Sequence, residues 1–165
     1  MSIFTPMFEF NTAGVLVPSK IINATLQEFE GYFSVDSPED IRRTLFNQYL
    51  SYKDELKELC GKTELKQWID GSFVTKKPKP SDIDLVTFVD FETAKLKERE
   101  LKEFIYPASL ANYGLDGYII VIYPEDHKLH FIYQADYAYW VNQFDKTKPD
   151  KRYKSIPKGF LEIIV

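Results

Sequence analysis

The residues with the clearest chemical potential lie in one stretch. Asp82 and Asp84 flank Ile83, and Gly71-Ser72 precedes them, with the nine residues 73–81 between Ser72 and Asp82. Side chains on a strand alternate faces, so residues two apart point the same way. Both carboxylates therefore project from one face, and Ile83 and Leu85 fill the other. Two carboxylates about 6 Å apart repel by roughly 3 kcal/mol at an effective dielectric of 20. A divalent cation reverses the sign of that cost, because carboxylate oxygens are the ligands that Mg²⁺ prefers. A solvent-facing strand start would tolerate the same pair without an ion. Gly71 lets a backbone N–H approach a ligand closely, and Ser72 can donate to a phosphate oxygen. An ordinary turn would use the same two residues. Together the two features build a metal site next to a phosphate cradle, if a hairpin sets the Gly-Ser corner beside the start of the Asp-x-Asp strand.

The flanking sequence supplies elements to hold such a hairpin. Residues 66–75 and 82–89 read as two strands joined by the loop Lys76-Lys77-Pro78-Lys79-Pro80, whose prolines stop either strand from running through. Residues 10–17 suit a short strand or extended arm ended by Pro18. Residues 19–32 suit a first helix, with Ile22, Leu26, Phe29 and Phe33 at helical spacing. A second helix is signalled by Ser37 as cap, Pro38 in the first turn and Asp40 three residues after the cap. Its stripe, Ile41, Leu45, Tyr49, Tyr52, Leu56 and Leu59, covers 18 residues in five steps, 3.6 per step, and it ends near Cys60-Gly61. Residues 92–105 read as a charged helix that buries Leu96, Leu101, Phe104 and Ile105. Residues 115–123, 129–133 and 160–165 read as strands, and 135–144 as a short aromatic helix. The order predicts an α/β or α+β domain: a small mixed β-sheet packed against helices.

Length and composition fit that picture. The chain has 165 residues, 44% hydrophobic and 16% aromatic, enough for one domain with a real core and too much for a disordered chain. The organisation is a single domain, 1–165, with N-terminal helices at 19–60, a sheet core at about 66–123 and a basic C-terminal segment at 145–165. The longest apolar run, Tyr118 to Tyr123, is too short to cross a bilayer, so no membrane partner is expected. The N-terminal residues carry Glu9 and no basic residue ahead of their apolar positions, unlike a signal peptide. One cysteine, Cys60, can make neither an internal disulfide nor a zinc site and is read as packing. Both points predict the cytosol. Net charge is −4, but Lys146, Lys148, Lys151, Arg152, Lys154 and Lys158 face only Asp150 between 146 and 158. That segment carries +5, so the rest carries −9. This run, and Lys76, Lys77 and Lys79, are either solvated surface or face a phosphate-bearing ligand. Tyr133, Tyr137, Tyr139 and Trp140 suit a core or could stack a base. His127 and His130, three apart on an expected strand, point to opposite faces and share no metal.

The pattern Ile69-Gly71-Ser72, then Asp82-Ile83-Asp84-Leu85, resembles the signature of the nucleotidyltransferase superfamily related to DNA polymerase beta. Asp70 falls between Ile69 and Gly71, a place that family leaves apolar or variable. The superfamily resemblance covers roughly residues 66–123. With its Lys/Pro loop and its Lys158-Gly159-Phe160-Leu161-Glu162-Ile163 ending, the chain is also similar to small stand-alone members of that superfamily. The resemblance implies a third carboxylate on a later strand. Asp116 fills that role, Asp136 is the runner-up, and Asp126 sits in a turn. It further implies two Mg²⁺ or Mn²⁺ ions held by Asp82, Asp84 and Asp116, and a nucleoside triphosphate as substrate. Gly71, Ser72, Lys76 and Lys77, with Lys79 as a further candidate, would face its phosphates. A hydroxyl on a protein, RNA or small molecule would be the acceptor. A toxin–antitoxin or phage-defence setting would add a protein partner. The alternative is an inactive module of the same fold that binds nucleotide or a partner protein.

Overall fold

The computed structural model describes residues 8–35 and 38–165. Its centre is a five-stranded mixed sheet of β3 (Ile21–Asn23), β4 (Lys66–Asp70), β5 (Asp84–Asp90), β6 (Asp116–Ile122) and β7 (Phe160–Ile164), in the order β3-β7-β4-β5-β6. β4 runs antiparallel to both β5 and β7, whereas β6 runs parallel to β5 and β3 parallel to β7. Early and late parts of the chain thus meet in one sheet. The mixed sheet packed with helices is the α+β arrangement that the order of sequence patterns predicts.

Several boundaries differ from the sequence reading. Residues 10–17 do not form one strand. They fold back as a small antiparallel pair, β1 (Glu9–Phe10) with β2 (Leu16–Val17), around a turn capped by the Asn11 side chain. The predicted first helix loses its start to β3, and α1 covers Leu26–Phe33. Its true cap is Thr25, which accepts from the Glu28 N–H while the Glu28 carboxylate accepts from the Thr25 N–H, a reciprocal capping box. Ser37, the expected cap of the next helix, lies outside the described residues. Pro38–Asp40 forms a separate 3₁₀ turn, and α2 starts at Ile41 and runs to Cys60. Its Leu45, Tyr49, Tyr52 and Leu56 are buried, and Gly61 closes it in the left-handed conformation.

The expected helix at 92–105 is broken into α3 (Phe91–Leu96), α4 (Glu98–Leu101) and a 3₁₀ turn at Lys102–Phe104. Leu96, assigned to its buried side, is 78% exposed, because the break after α3 rotates the apolar positions out of phase. A short α5 (Ala108–Tyr113), without a strong signal in the sequence, leads into β6. Residues 129–133 are not a strand. They open α6 (His130–Phe144), five residues before the expected start. The run Phe131-Ile132-Tyr133 cannot be assigned by period alone. Apolar residues on the solvent side of α6, such as Phe131 at 62% exposed, also erase its amphipathic signature.

Alternation along the strands sorts the core into two layers. Ile69, Leu85, Leu161 and Ile163 pack under α1 and α2 against Phe29, Tyr49, Tyr52 and Leu56. Their neighbours Trp68, Val86, Phe88 and Phe160 face the other way, onto Tyr137, Trp140 and Phe144 of α6. Tyr133, Tyr137 and Trp140 thus belong to the second layer, and Tyr139 stays 55% exposed. Among the described residues, no helix is long and apolar enough to cross a membrane.

Candidate functional site

The three central strands bring their acids to one edge. Asp70 ends β4, Asp84 opens β5 and Asp116 opens β6. The ladders pair Asp70 with Asp84 and Asp84 with Asp116, so the three stand in one row. They share the α6 face with Trp68, Val86 and Tyr118, by the two-residue period of their strands. Asp82 sits just ahead of β5 rather than on it, so strand geometry alone does not orient it. The fold still converges the side chains. One carboxylate oxygen from each of Asp82, Asp84 and Asp116 lies within 4.8 Å of the other two. Ile83 and Leu85 are fully buried on the opposite side, in the layer under α2.

Gly71-Ser72 turns the corner out of β4. The expected strand to residue 75 stops at Asp70, and Ser72–Val74 forms a 3₁₀ turn. Gly71 has φ of +85°, and a β-carbon there would stand 2.6 Å from Asp84 Oδ2. Only glycine lets the backbone pass this close to the carboxylate. The Ser72 hydroxyl accepts from the Ser81 N–H at 3.2 Å and donates to Asp82 at 3.4 Å, tying the two ends of the Lys/Pro loop together. Arg42 of α2 holds the loop from behind. It is buried and donates to the carbonyls of Phe33, Phe73, Thr75 and Lys77 at 2.6–3.1 Å. Gly117, which would weaken a free strand, is needed for packing, since a β-carbon there would meet Phe104 O at 2.6 Å and the Tyr52 hydroxyl at 2.9 Å.

These residues floor a cleft of about 760 Å³, within the range of small-molecule sites. Its opposite wall is the end of α6 and the segment after it: Tyr139, Trp140, Asn142, Lys146, Lys148 and Lys158. Lys158 is 6% exposed and donates to Asp70, and also to the Phe144 carbonyl at 2.9 Å. This buried ion pair pins the base of the basic segment to the end of β4. Asp70 is therefore a partner of Lys158, not a fourth member of the converging trio.

Burial and crowding push the acids upward. Asp84 is raised to about 7, first by burial, then by Asp82 and Asp70, against a smaller opposing pull from Lys148. Asp116 is raised by burial and by Asp82, with a hydrogen bond to Asp84 working the other way. Asp70 is raised to about 6 by burial, although Lys158 opposes it. Three acids crowded in this way could share a divalent cation, whose charge would offset their mutual repulsion. The donors are all hard carboxylate oxygens, with no histidine or thiol among them, which suits Mg²⁺ or Mn²⁺.

Other candidates fall elsewhere. Lys76 stacks over Phe10 with its Nζ 4.8 Å from the ring centre, and Lys79 pairs with Glu39. Neither they nor Lys77 line the cleft, whose lysines are Lys146, Lys148 and Lys158. Asp136 lies in mid-α6 and is not among the converging acids, and Asp126 occupies a turn. His130 opens a helix instead of lying on a strand. Its Nδ1 is 2.8 Å from the Tyr123 carbonyl, and the His127 ring packs on Phe91. Cys60 is buried, and burial raises its thiol. Of the functional side chains, Arg42 carried no usable signal, because a buried arginine on a helix looks like any surface one until its partners are known.

A family model described as a family of unknown function (DUF6932) matches residues 8–164. No curated protein and no solved structure matches the chain.

Proposed function

The chain belongs to the family of unknown function DUF6932, and from its site we propose that it is a metal-dependent nucleotidyltransferase. It would move a nucleotide from a nucleoside triphosphate to a hydroxyl acceptor. The observation that carries this is the convergence of Asp82, Asp84 and Asp116 within 4.8 Å on the floor of a cleft of about 760 Å³, beside the Gly71-Ser72 corner. Divalent ions on these carboxylates would neutralise phosphate charge and acidify the acceptor hydroxyl.

The protein's own groups divide the remaining work. Lys146 and Lys148 line the wall that faces the acids and suit the triphosphate. Gly71 offers its backbone and Ser72 its hydroxyl at the corner. Tyr139 and Trp140 give the base an aromatic wall. Transfer forms a bond from the acceptor oxygen to the α-phosphorus and breaks the bond from that phosphorus to the bridging oxygen. Pyrophosphate leaves, and the hydroxyl proton passes to solvent.

The test is incubation with α-labelled nucleoside triphosphates and Mg²⁺ or Mn²⁺, with cell lysate as the source of acceptors. Label transfer that disappears in Asp82→Ala and Asp84→Ala supports the reading. Equal labelling by wild type and both variants refutes it. Nucleotide binding by calorimetry without any transfer would instead favour an inactive binding module of the same fold.

A further inference from the structure

Residues 146–157 fold into a hairpin of their own. Lys146 and Pro157 bridge at its base, the Thr147 N–H donates to the Ile156 carbonyl at 2.9 Å, and the Ile156 N–H donates to the Thr147 hydroxyl at 2.9 Å. The base is anchored on both sides. Lys158 donates its N–H to the Asp145 carbonyl at 2.8 Å, and the Ser19 hydroxyl donates to that same carbonyl at 2.9 Å. At the tip, the Asp150 carboxylate accepts from the N–H groups of Arg152 and Lys154 at 2.7 and 3.0 Å. The hairpin's single acid is thus used to shape its own turn.

That turn throws the cations outward. Lys148, Lys151, Arg152 and Lys154 are all exposed, and none makes an ion pair among the described residues. Lys146 and Lys148 line the cleft, but Lys151, Arg152 and Lys154 do not. A triphosphate seated on the acids cannot engage all five. A ligand that uses them must carry negative charge out of the cleft and along the hairpin. At the tip stands Tyr153, 91% exposed and held in the left-handed conformation, with no ring contact to any described residue. A basic track that ends in a bare aromatic ring has the two features by which single strands are held: phosphate neutralisation and base stacking. An acidic peptide would use the charges and leave the tyrosine idle. A duplex would hide its bases from the ring.

We propose that the hairpin 146–157 binds a single-stranded polynucleotide, with Tyr153 stacking on a base and the cations following the backbone toward the acidic cleft. That this strand supplies the acceptor hydroxyl rests on the nucleotidyl-transfer reading; that it binds does not. The chain keeps a local excess of positive charge on an otherwise acidic surface because its ligand is a polyanion.

The experiment is fluorescence anisotropy of a dye-labelled mixed-sequence 20-nucleotide RNA, and of the DNA of the same sequence, without triphosphate or metal. Engaging about four phosphates predicts a slope near −3 in log affinity against log salt, about a 50-fold loss between roughly 50 and 200 mM. Lys151→Glu/Arg152→Glu/Lys154→Glu should weaken binding at least tenfold, and Tyr153→Ala about fivefold or more, with melting temperatures unchanged. A stronger response to RNA than DNA assigns the 2′-hydroxyl a part in recognition, whereas equal response assigns the backbone and bases alone. Wild-type affinity in the charge-reversed variant, unchanged affinity in Tyr153→Ala, or better competition by poly-glutamate than by the oligonucleotide overturns the proposal. A protein that binds the strand but transfers no label fails only as an enzyme. One that labels another acceptor but ignores both oligonucleotides fails only here.

Discussion

Asp84 and Asp116 are direct partners in the parallel ladder between β5 and β6, and each is the first residue of its strand. The fold places them side by side with Asp82 although the cluster works against folding. Asp84 has a folded-state value near 7, well above the 3.8 of an unhindered aspartate. Below about pH 3, under both values, it is largely neutral in both states and costs little. As pH rises toward 7 the unfolded chain gives up its proton first, so stability falls, and the cost is complete above 7. Asp84→Asn should therefore raise metal-free stability near pH 8 by about 1–3 kcal/mol, with the gain vanishing near pH 3. Chemical denaturation at the two pH values measures it, and a destabilised variant at the higher pH contradicts it.

Divalent ions should reverse that balance. Mg²⁺ or Mn²⁺ at about 100 times its dissociation constant should stabilise the folded protein by roughly 2.7 kcal/mol. The effect should grow from pH 5 to pH 8 as the ligands ionise, and binding should release protons, read as a buffer-dependent heat in calorimetry. It should be absent in Asp82→Asn/Asp84→Asn. An equal shift in that variant would place the ion elsewhere.

The pair Asp70–Lys158 should behave as a unit. Lys158→Met leaves the Asp70 carboxylate buried without its cation and should cost about 3–5 kcal/mol. Adding Asp70→Asn should recover most of the loss, which a double-mutant cycle quantifies. If the two losses simply add, the pair is not coupled.

Gly71→Ala should fold poorly and transfer nothing. The new methyl meets Asp84 Oδ2 at 2.6 Å in a backbone conformation with φ of +85°. Strain of this kind costs about 1–3 kcal/mol. A variant with wild-type melting temperature and metal affinity would show that the corner is not tight.

Asp90 tests a structural acid away from the cleft. It caps α3, accepting from the Thr93 N–H at 3.0 Å and hydroxyl at 2.7 Å. Slight burial pushes its carboxyl up, but the Thr93 bonds and Lys62 outweigh that and hold it at about 2. A lowered acid stabilises above its unfolded value of 3.8 and loses that contribution as pH falls toward 2. Asp90→Ala should thus cost about 1 kcal/mol at neutral pH and little near pH 2, by thermal melts across the range.

The sequence made the hairpin of β4 and β5 legible because two signals agreed: strand-like alternation, and prolines 78 and 80 that forbid continuation. α2 was legible from its stripe and Gly61. The strand at Asp116 was legible, but its place beside Asp84 is a pairing between residues 32 apart, which no local period encodes. The start of α6 is not legible, because aromatic residues crowd every side of it. The basic run was visible in composition, yet only the ion pair of Lys158 with Asp70 reveals that it walls the cleft. Lysines 76, 77 and 79 lie nearer to Gly71-Ser72 in sequence, but that proximity does not bring them into the cleft, since Arg42 pulls their loop toward α2.

Arg42 also decides how the cleft can move. One guanidinium grips carbonyls from both the end of α1 and the loop behind Ser72, so that side is riveted to the helical layer. The facing side is the end of α6 and the hairpin after it, which among the described residues is fastened at its root. Among the described residues the hairpin thus has fewer ties to the rest of the fold than the acid-bearing edge, and a change in the width of the cleft would come from the hairpin's side.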